Sequence, residues 1–414
     1  MNNNKTVIVV GAGASGCMAA ITAAKRGMNV TLFDRNPKIG RKILITGKGR
    51  CNVTNNCDRD TFMSSIPTNS RFLYSAFAAF TPQDTMVFFE ENGVPLKTER
   101  GNRVFPQSDK SMDIIDALFK LIRNLHIRLI NENVTDLVIE NQKLLGVKTD
   151  NKEYRADSVV IACGGCSYPQ TGSDGYGYTL AKQAGHTIVE PVPSLVPIVV
   201  NEKWCSELQG LSLKNVSLKV KNNKNKEIFS DFGEMIFTHF GISGPIVLSA
   251  SSHMNLKKCT EYTLTIDLKP ALTEEQLDKR IQKDFEKYIN KDIINSLGDL
   301  LPKKLIPVTV KLAEIEPHKK CNEITKTERR KLLTVIKNLT LTFKEFRPIA
   351  EAIVTSGGVK VKEIDPKTMQ SKLLENLYFS GEVIDVDAYT GGFNLQIAFS
   401  TGYLAGKSIY PTPN

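Results

Sequence analysis

Residues 5–34, KTVIVVGAGASGCMAAITAAKRGMNVTLFD, restrict the fold of this chain more than any other stretch. An apolar run centred on residues 7–10 leads into Gly11, Gly13 and Gly16, then an alanine-rich segment, then a second apolar run ending at Asp34. That order predicts strand, glycine turn, helix and strand, the βαβ unit that holds a dinucleotide. Gly11 permits the tight turn, Gly13 lets backbone approach a pyrophosphate, and Gly16 lets the helix pack close to the strand. The helix N-terminus offers unpaired N–H groups and a partial positive charge to phosphates. Asp34, 18 residues after the last glycine, can accept hydrogen bonds from ribose hydroxyls. FAD and NAD both satisfy this pattern.

A length of 414 residues implies two or three domains. The first strand begins almost at once, with no basic leader or cleavage signal before it, and no apolar run reaches the ~18 residues that span a bilayer. Eight scattered cysteines without a dense framework fit a reducing compartment, so a cytoplasmic protein with no membrane span is expected. No His/Cys spacing resembles a zinc site, and no metal is expected.

Residues 81–93 and 111–124 carry apolar positions at helical spacing, and residues 97–104 read as a hairpin turning at Gly101 and Asn102. The irregular, glycine-rich stretch 40–55 reads as non-helical. Around residues 158–165 a second buried strand ends in another glycine turn. From Pro191 the texture becomes β-rich, and residues 272–300 and 321–338 read as polar amphipathic helices. Strand and glycine patterns return at residue 355. The expected architecture is α/β, a Rossmann-like FAD-binding domain split by an inserted β-barrel domain with a small helical subdomain. Its expected boundaries are 1–191 and 355–414 for the nucleotide domain, 192–270 and 339–354 for the barrel, and 271–338 for the helices.

A third glycine site favours FAD over NAD as the tightly held cofactor. A strand ending at Ser380 is followed by Gly381 and Glu382, and then Gly391, Gly392, Phe393 and Asn394 open a helix. A helix N-terminus facing a flavin stabilises negative charge on the reduced ring, a need that NAD does not have. Together with this site, GAGASG, GRKILITGKGRCNVTN (40–55), GNRVFP (101–106), FTHFGISGP (237–245), TSGGV (355–359) and GEVIDVDAYTGGFNLQIA (381–398) resemble the BaiN/RdsA family of FAD-dependent oxidoreductases over nearly the whole chain. The resemblance implies a two-dinucleotide-fold flavoprotein with an inserted barrel and helical subdomain. It implies that FAD is lined by Gly11, Gly13, Ala14, Ser15, Gly16, Asp34, Arg35, Lys42, Gly47, Gly49, Arg50, Cys51 and Val134. Further along, Ala162, Cys163, Gly164, Gly381, Glu382, Asp385, Gly392, Asn394, Leu395 and Gln396 complete that lining. Asp34 stands where such folds usually carry the longer Glu, and the family's alanine–threonine–glycine–glycine turn is written here Ala162, Cys163, Gly164, Gly165.

Three residues are candidates for chemistry. Cys51, in the loop expected to pass the flavin, is either a general acid or a small buried packing residue. His239 either reaches the active site from the insertion or bonds to backbone, with Ser243 capping the helix that follows. Arg103 binds an anionic group or pairs on a surface hairpin. Cys163 and Cys166 have CxxC spacing but sit on a glycine turn unsuited to thiol activation.

The net charge is +10, and residues 302–347 hold 12 Lys/Arg against 5 Asp/Glu. The surplus is a solvated basic face or a contact with polyanions, nucleic acid above all. The resemblance implies carbon–carbon double-bond reduction with NAD(P)H as a transient donor, since no second complete GxGxxG unit exists. Uridine to dihydrouridine in 23S ribosomal RNA is the leading expectation, with contact through the basic insertion. The alternatives are a small-molecule flavoenzyme (a steroid or bile-acid enone reductase, or an aminoacetone-type amine oxidase), a flavin-dependent tRNA methyltransferase, and a non-catalytic FAD-binding protein.

Overall fold

The computed structural model describes residues 5–254, 256 and 259–410. Its first elements are β1 (Thr6–Val10), α1 (Ala14–Lys25) and β2 (Asn29–Phe33). β1 lies at the centre of a five-stranded parallel sheet in the order Leu377–Phe379, Ser158–Ile161, β1, β2, Arg128–Ile130. Strands buried on both faces read as continuous apolar runs rather than alternating ones, as VIVV and SVVI do. Sheet residues Val9, Leu32 and Ile161 are fully buried.

α1 is alanine-rich because both its neighbours come close. A Cβ on Gly16 would lie 1.8 Å from the Gly11 carbonyl oxygen, so only glycine fits where helix meets strand. On the other side the C-terminal helix Phe393–Ser408 crosses α1 through Gly402, where a Cβ would lie 2.3 Å from the Ser15 carbonyl oxygen. This close crossing makes α1 and the C-terminal helix one packed layer on the sheet.

The chain divides into two compact units, residues 1–194 with 348–414 and residues 195–347. The expected division at 191/192 and 354/355 thus falls instead at 194/195 and 347/348. Strand Ile188–Ser194 pairs antiparallel with Val354–Val359, and this pairing draws the residues around 350 into the nucleotide unit.

The inserted unit is built on a closed six-stranded antiparallel barrel in the order Ile198–Val200, Gly241–Ser243, Glu227–Phe237, Ser212–Asn222, Tyr262–Asp267, Leu339–Phe346. Helices Glu274–Lys287, Ile306–Leu312 and Lys326–Lys337 lie between its last two strands in sequence and share one apolar core with it. Two local expectations need correction. A short helix, α2 (Arg41–Ile45), forms inside the stretch read as irregular. Gly244 caps helix Pro245–His253 with no side-chain bond, because Ser243 is spent in the preceding strand.

Candidate cofactor groove

The groove lies entirely within the nucleotide unit, along the C-terminal ends of β1, β2 and Ser158–Ile161. Crevices at that edge are where open α/β sheets take ligands. Gly13 caps α1 without a side-chain bond, and the first turn holds no acidic residue. The first-turn N–H groups therefore have no partner within the helix, and Gly13, Ala14 and Ser15 line the groove. A Cβ on Gly13 would meet no protein atom within 4 Å and would instead occupy space a ligand can use. These features suit a diphosphate. Gly11 lines the groove beside them.

Asp34 lines the groove too, but its carboxylate also serves the fold. One oxygen accepts from the Ala12 N–H at 2.7 Å, and the other from the Asn36 N–H at 2.7 Å. The short acid thus pins the glycine turn to the end of β2, a role that the ribose expectation did not include. Arg35, next to it, pairs with Asp174 at 2.7 Å and donates to the Gly172 carbonyl. Val134, Ala162, Cys163 and Gly164 complete this half of the wall.

Along the rest of the wall lie Lys42, Glu382, Asn394 and Leu395. Lys42 Nζ reaches Glu382 Oε2 at 2.7 Å and the Ser167 hydroxyl at 2.6 Å. The Asn394 side chain is occupied with its own turn, donating to the Ala388 carbonyl and accepting from the Ala388 N–H.

Other expected site residues are held away from the groove. Gly16 and Gly381 pack against neighbouring chain, since a Cβ on Gly381 would lie 2.4 Å from Ser15 Oγ. Gly392 caps the C-terminal helix against the Thr54 carbonyl, and fully buried Gln396 accepts from the Thr54 and Thr85 hydroxyls. Asp385 is buried beside Asn69, and burial raises its pKa. Gly47 and Gly49 belong to a left-handed turn, beyond which Arg50 stacks on Phe105 at 4.0 Å and pairs with Glu99 and Asp109.

All three catalytic candidates lie off the groove wall. Cys51 is fully buried, and burial pushes its thiol up to about 12, against a hydrogen bond with Thr46. Arg103 is exposed on the hairpin and bonds the Arg100 carbonyl. His239 belongs to the inserted unit, exposed in a turn and edge-on to Phe240. The sequence places each on a motif segment, but only the fold sets which way its side chain points. Cys163 and Cys166 are free thiols, and burial pushes Cys163 up to about 12, opposite to what a reactive thiolate needs.

Sequence reading missed Asn36, Arg41, Thr46, Ser173, Tyr176 and Val354, which line the groove. Arg41 and Thr46 lay within the quoted 40–55 motif, and Ser173 follows a glycine in TGSDG. Tyr176 and Val354 gave no signal.

In the inserted unit, the basic clusters are largely paired. Lys319 meets Glu328 at 2.7 Å, Lys320 meets Asp292 at 2.7 Å, and Arg329 meets Asp278 at 2.8 Å. Lys331 meets Glu314, and Lys304 donates to the Gln209 carbonyl. Among the described residues, no carboxylate lies within ion-pairing distance of Lys303 or Arg330. No helix among those residues is long and apolar enough to cross a membrane.

A family model described as the HI0933-like protein Rossmann domain matches residues 5–408. The chain is 31% identical to the 3-dehydro-bile acid delta(4,6)-reductase of Clostridium scindens, covering 98% of this chain and 99% of that one. It is 32% identical to the ribosomal RNA dihydrouridine synthase of Haemophilus influenzae, covering 97% and 98%. Among solved structures, the 3-ketosteroid delta1-dehydrogenase of Sterolibacterium denitrificans superposes over 99% of both chains with a TM-score of 0.53 at 13% identity, a likeness of fold.

Proposed function

Because this chain belongs to the HI0933-like Rossmann family and is an FAD-dependent oxidoreductase, we propose that it reduces a carbon–carbon double bond conjugated to a carbonyl, namely that of uridine in 23S ribosomal RNA. The observation that carries this reading is full-length similarity to reductases whose names describe that bond type in two very different molecules. The net charge of +10 supports the RNA substrate over the small one. Lys303 and Arg330 are the cluster residues best placed to meet phosphate, since Arg329 and Lys331 pair with carboxylates and Lys304 donates to the Gln209 carbonyl.

When bound, FAD supplies the hydride. The chain's own part is to hold it: the first-turn N–H groups of α1 take the diphosphate, and Asp34 and Val134 border the nucleoside end. NAD(P)H is the proposed donor, entering transiently from the substrate side, since the sequence has one complete GxGxxG unit. A bile-acid-like enone is the second reading, favoured by the comparable identity to the reductase and by the paired state of the basic cluster.

The test is mass-spectrometric mapping of dihydrouridine in 23S ribosomal RNA from a strain lacking this gene. Loss of one site, restored by the wild-type gene, is expected. Unchanged RNA, with NAD(P)H-dependent reduction of a steroid enone by the purified protein, would move the assignment to the second reading.

A further inference from the structure

Four motifs far apart in sequence meet at a single ion pair in the groove wall. Lys42 comes from α2, Ser167 from the turn after Ser158–Ile161, Thr355 from the TSGGV strand and Glu382 from the turn after Leu377–Phe379. Glu382 Oε1 accepts from the Thr355 N–H at 2.8 Å and from the Ser167 hydroxyl at 2.9 Å, while Oε2 takes Lys42 Nζ at 2.7 Å. The two side chains are 24% and 19% exposed. A charge pair taken this far out of water gives back much of its attraction as desolvation, so bracing alone is a weak reason to place it there. Lys38 and Arg41 also line the groove but are exposed, whereas Lys42 is an ammonium fixed in the wall by two acceptors.

We propose that Lys42 is a positioning residue that sets the reduction potential of FAD held in this groove, and that Glu382 limits how much of the Lys42 charge the ring experiences. The inference rests on FAD occupying the groove and is independent of which double bond is reduced. Hydride transfer from NAD(P)H leaves an oxidised nicotinamide and adds one unit of negative charge to the ring. A fixed cation in a partly dehydrated wall favours that product, and a carboxylate sharing the cation opposes it. The two residues therefore act with opposite signs, which a purely structural brace does not require.

The test is potentiometric titration of purified holoenzyme, with sulfite binding as a second probe of the ring's electron affinity. Lys42→Met is expected to lower the potential and weaken sulfite binding on the order of tenfold, the scale of one partly screened charge. Lys42→Arg is expected to recover most of both. Glu382→Gln is expected to shift both measures the other way. If Lys42→Met does not retain FAD, Ser167→Ala, which removes one acceptor from the ammonium and keeps the charge, is expected to raise the potential. Equal shifts in one direction, or FAD-replete variants with unchanged potentials, would overturn the inference. A wild-type protein that takes up no FAD would instead overturn the reading it rests on.

Discussion

In the nucleotide unit, polar side chains tie together segments hundreds of residues apart, as buried Gln396 joins Thr54 and Thr85 and part-buried Glu382 joins Lys42 and Thr355. In the inserted unit, charged side chains pair over short stretches of sequence, as part-buried Lys319 does with Glu328 and exposed Lys331 with Glu314. The first arrangement joins distant segments around and beneath the groove through hydrogen bonds that a substitution would leave without partners. The second neutralises part of each basic cluster and, among the described residues, leaves Lys303 and Arg330 among the cations with no carboxylate at ion-pairing distance. Charge counted along a cluster thus overstates the charge left unpaired there, whereas glycine spacing is a good guide to where backbones must touch.

The largest expected contrast is at glycines. Gly16→Val places side-chain atoms where the Gly11 carbonyl stands and is expected to abolish FAD binding and cost more than ~3 kcal/mol. Gly298→Ala in the inserted unit, where a Cβ meets nothing within 4 Å, is expected to be neutral within about 0.5 kcal/mol. Thermal melts and flavin content check both. A comparable loss at both sites would break the contrast.

Next in size is Gln396→Leu, which leaves the Thr54 and Thr85 hydroxyls with a lost buried acceptor and is expected to cost about 2–4 kcal/mol in chemical unfolding. Arg329→Glu, which breaks a partly exposed pair with Asp278, is expected to cost about 1 kcal/mol or less. Cys51→Ala tests whether the buried thiol is a packing residue or a general acid. It should cost about 1–2 kcal/mol for the lost packing while turnover of the FAD-replete enzyme stays within about twofold. A large drop in turnover with flavin retained would restore Cys51 to the chemistry.

Acid response sharpens the comparison further. His186, in the nucleotide unit, is held neutral: burial lowers its pKa, and Glu363 at 3.5 Å opposes this only in part. Its contribution is full above the unfolded value near 6.5 and declines as pH falls toward the lowered folded value. Glu328, in the inserted unit, is held down to about 2, chiefly by its hydrogen bond with Lys319. Its smaller, solvent-screened contribution is present above about 4.5 and is lost between there and about 2. Flavin fluorescence follows the first unit and Trp204, the single tryptophan, follows the second. His186→Gln is expected to flatten the flavin-detected urea midpoint between about pH 7.5 and 5.5 without moving the Trp204 transition near pH 3.

Much of the nucleotide unit is legible because its constraints are local. Gly11, Gly13 and Gly16 sit at spacings that only a strand–turn–helix uses, and the second helix pattern at residues 393–408 follows a glycine pair. Helix Ile306–Leu312 was not legible, because Pro302 and Pro307 punctuate it like a loop, although Pro307 falls in its first turn, where no N–H is needed. Side-chain direction was not legible at Cys51, Arg103 or Gln396, since motif membership gives the segment and packing decides the face. The node at Lys42 and Glu382 was invisible as a unit, because its four members are separated by up to 340 residues.

The central claim is that this groove holds FAD and passes its electrons to a carbon–carbon double bond. The direct measurement is anaerobic: reduce the purified protein with NAD(P)H, mix it with 23S ribosomal RNA or a conjugated steroid enone, and follow flavin reoxidation with product mass. Reoxidation matched by a gain of two hydrogens in one of these acceptors is the predicted result. A protein that takes up no FAD, or a reduced flavin that neither acceptor reoxidises and only oxygen does, would contradict the account.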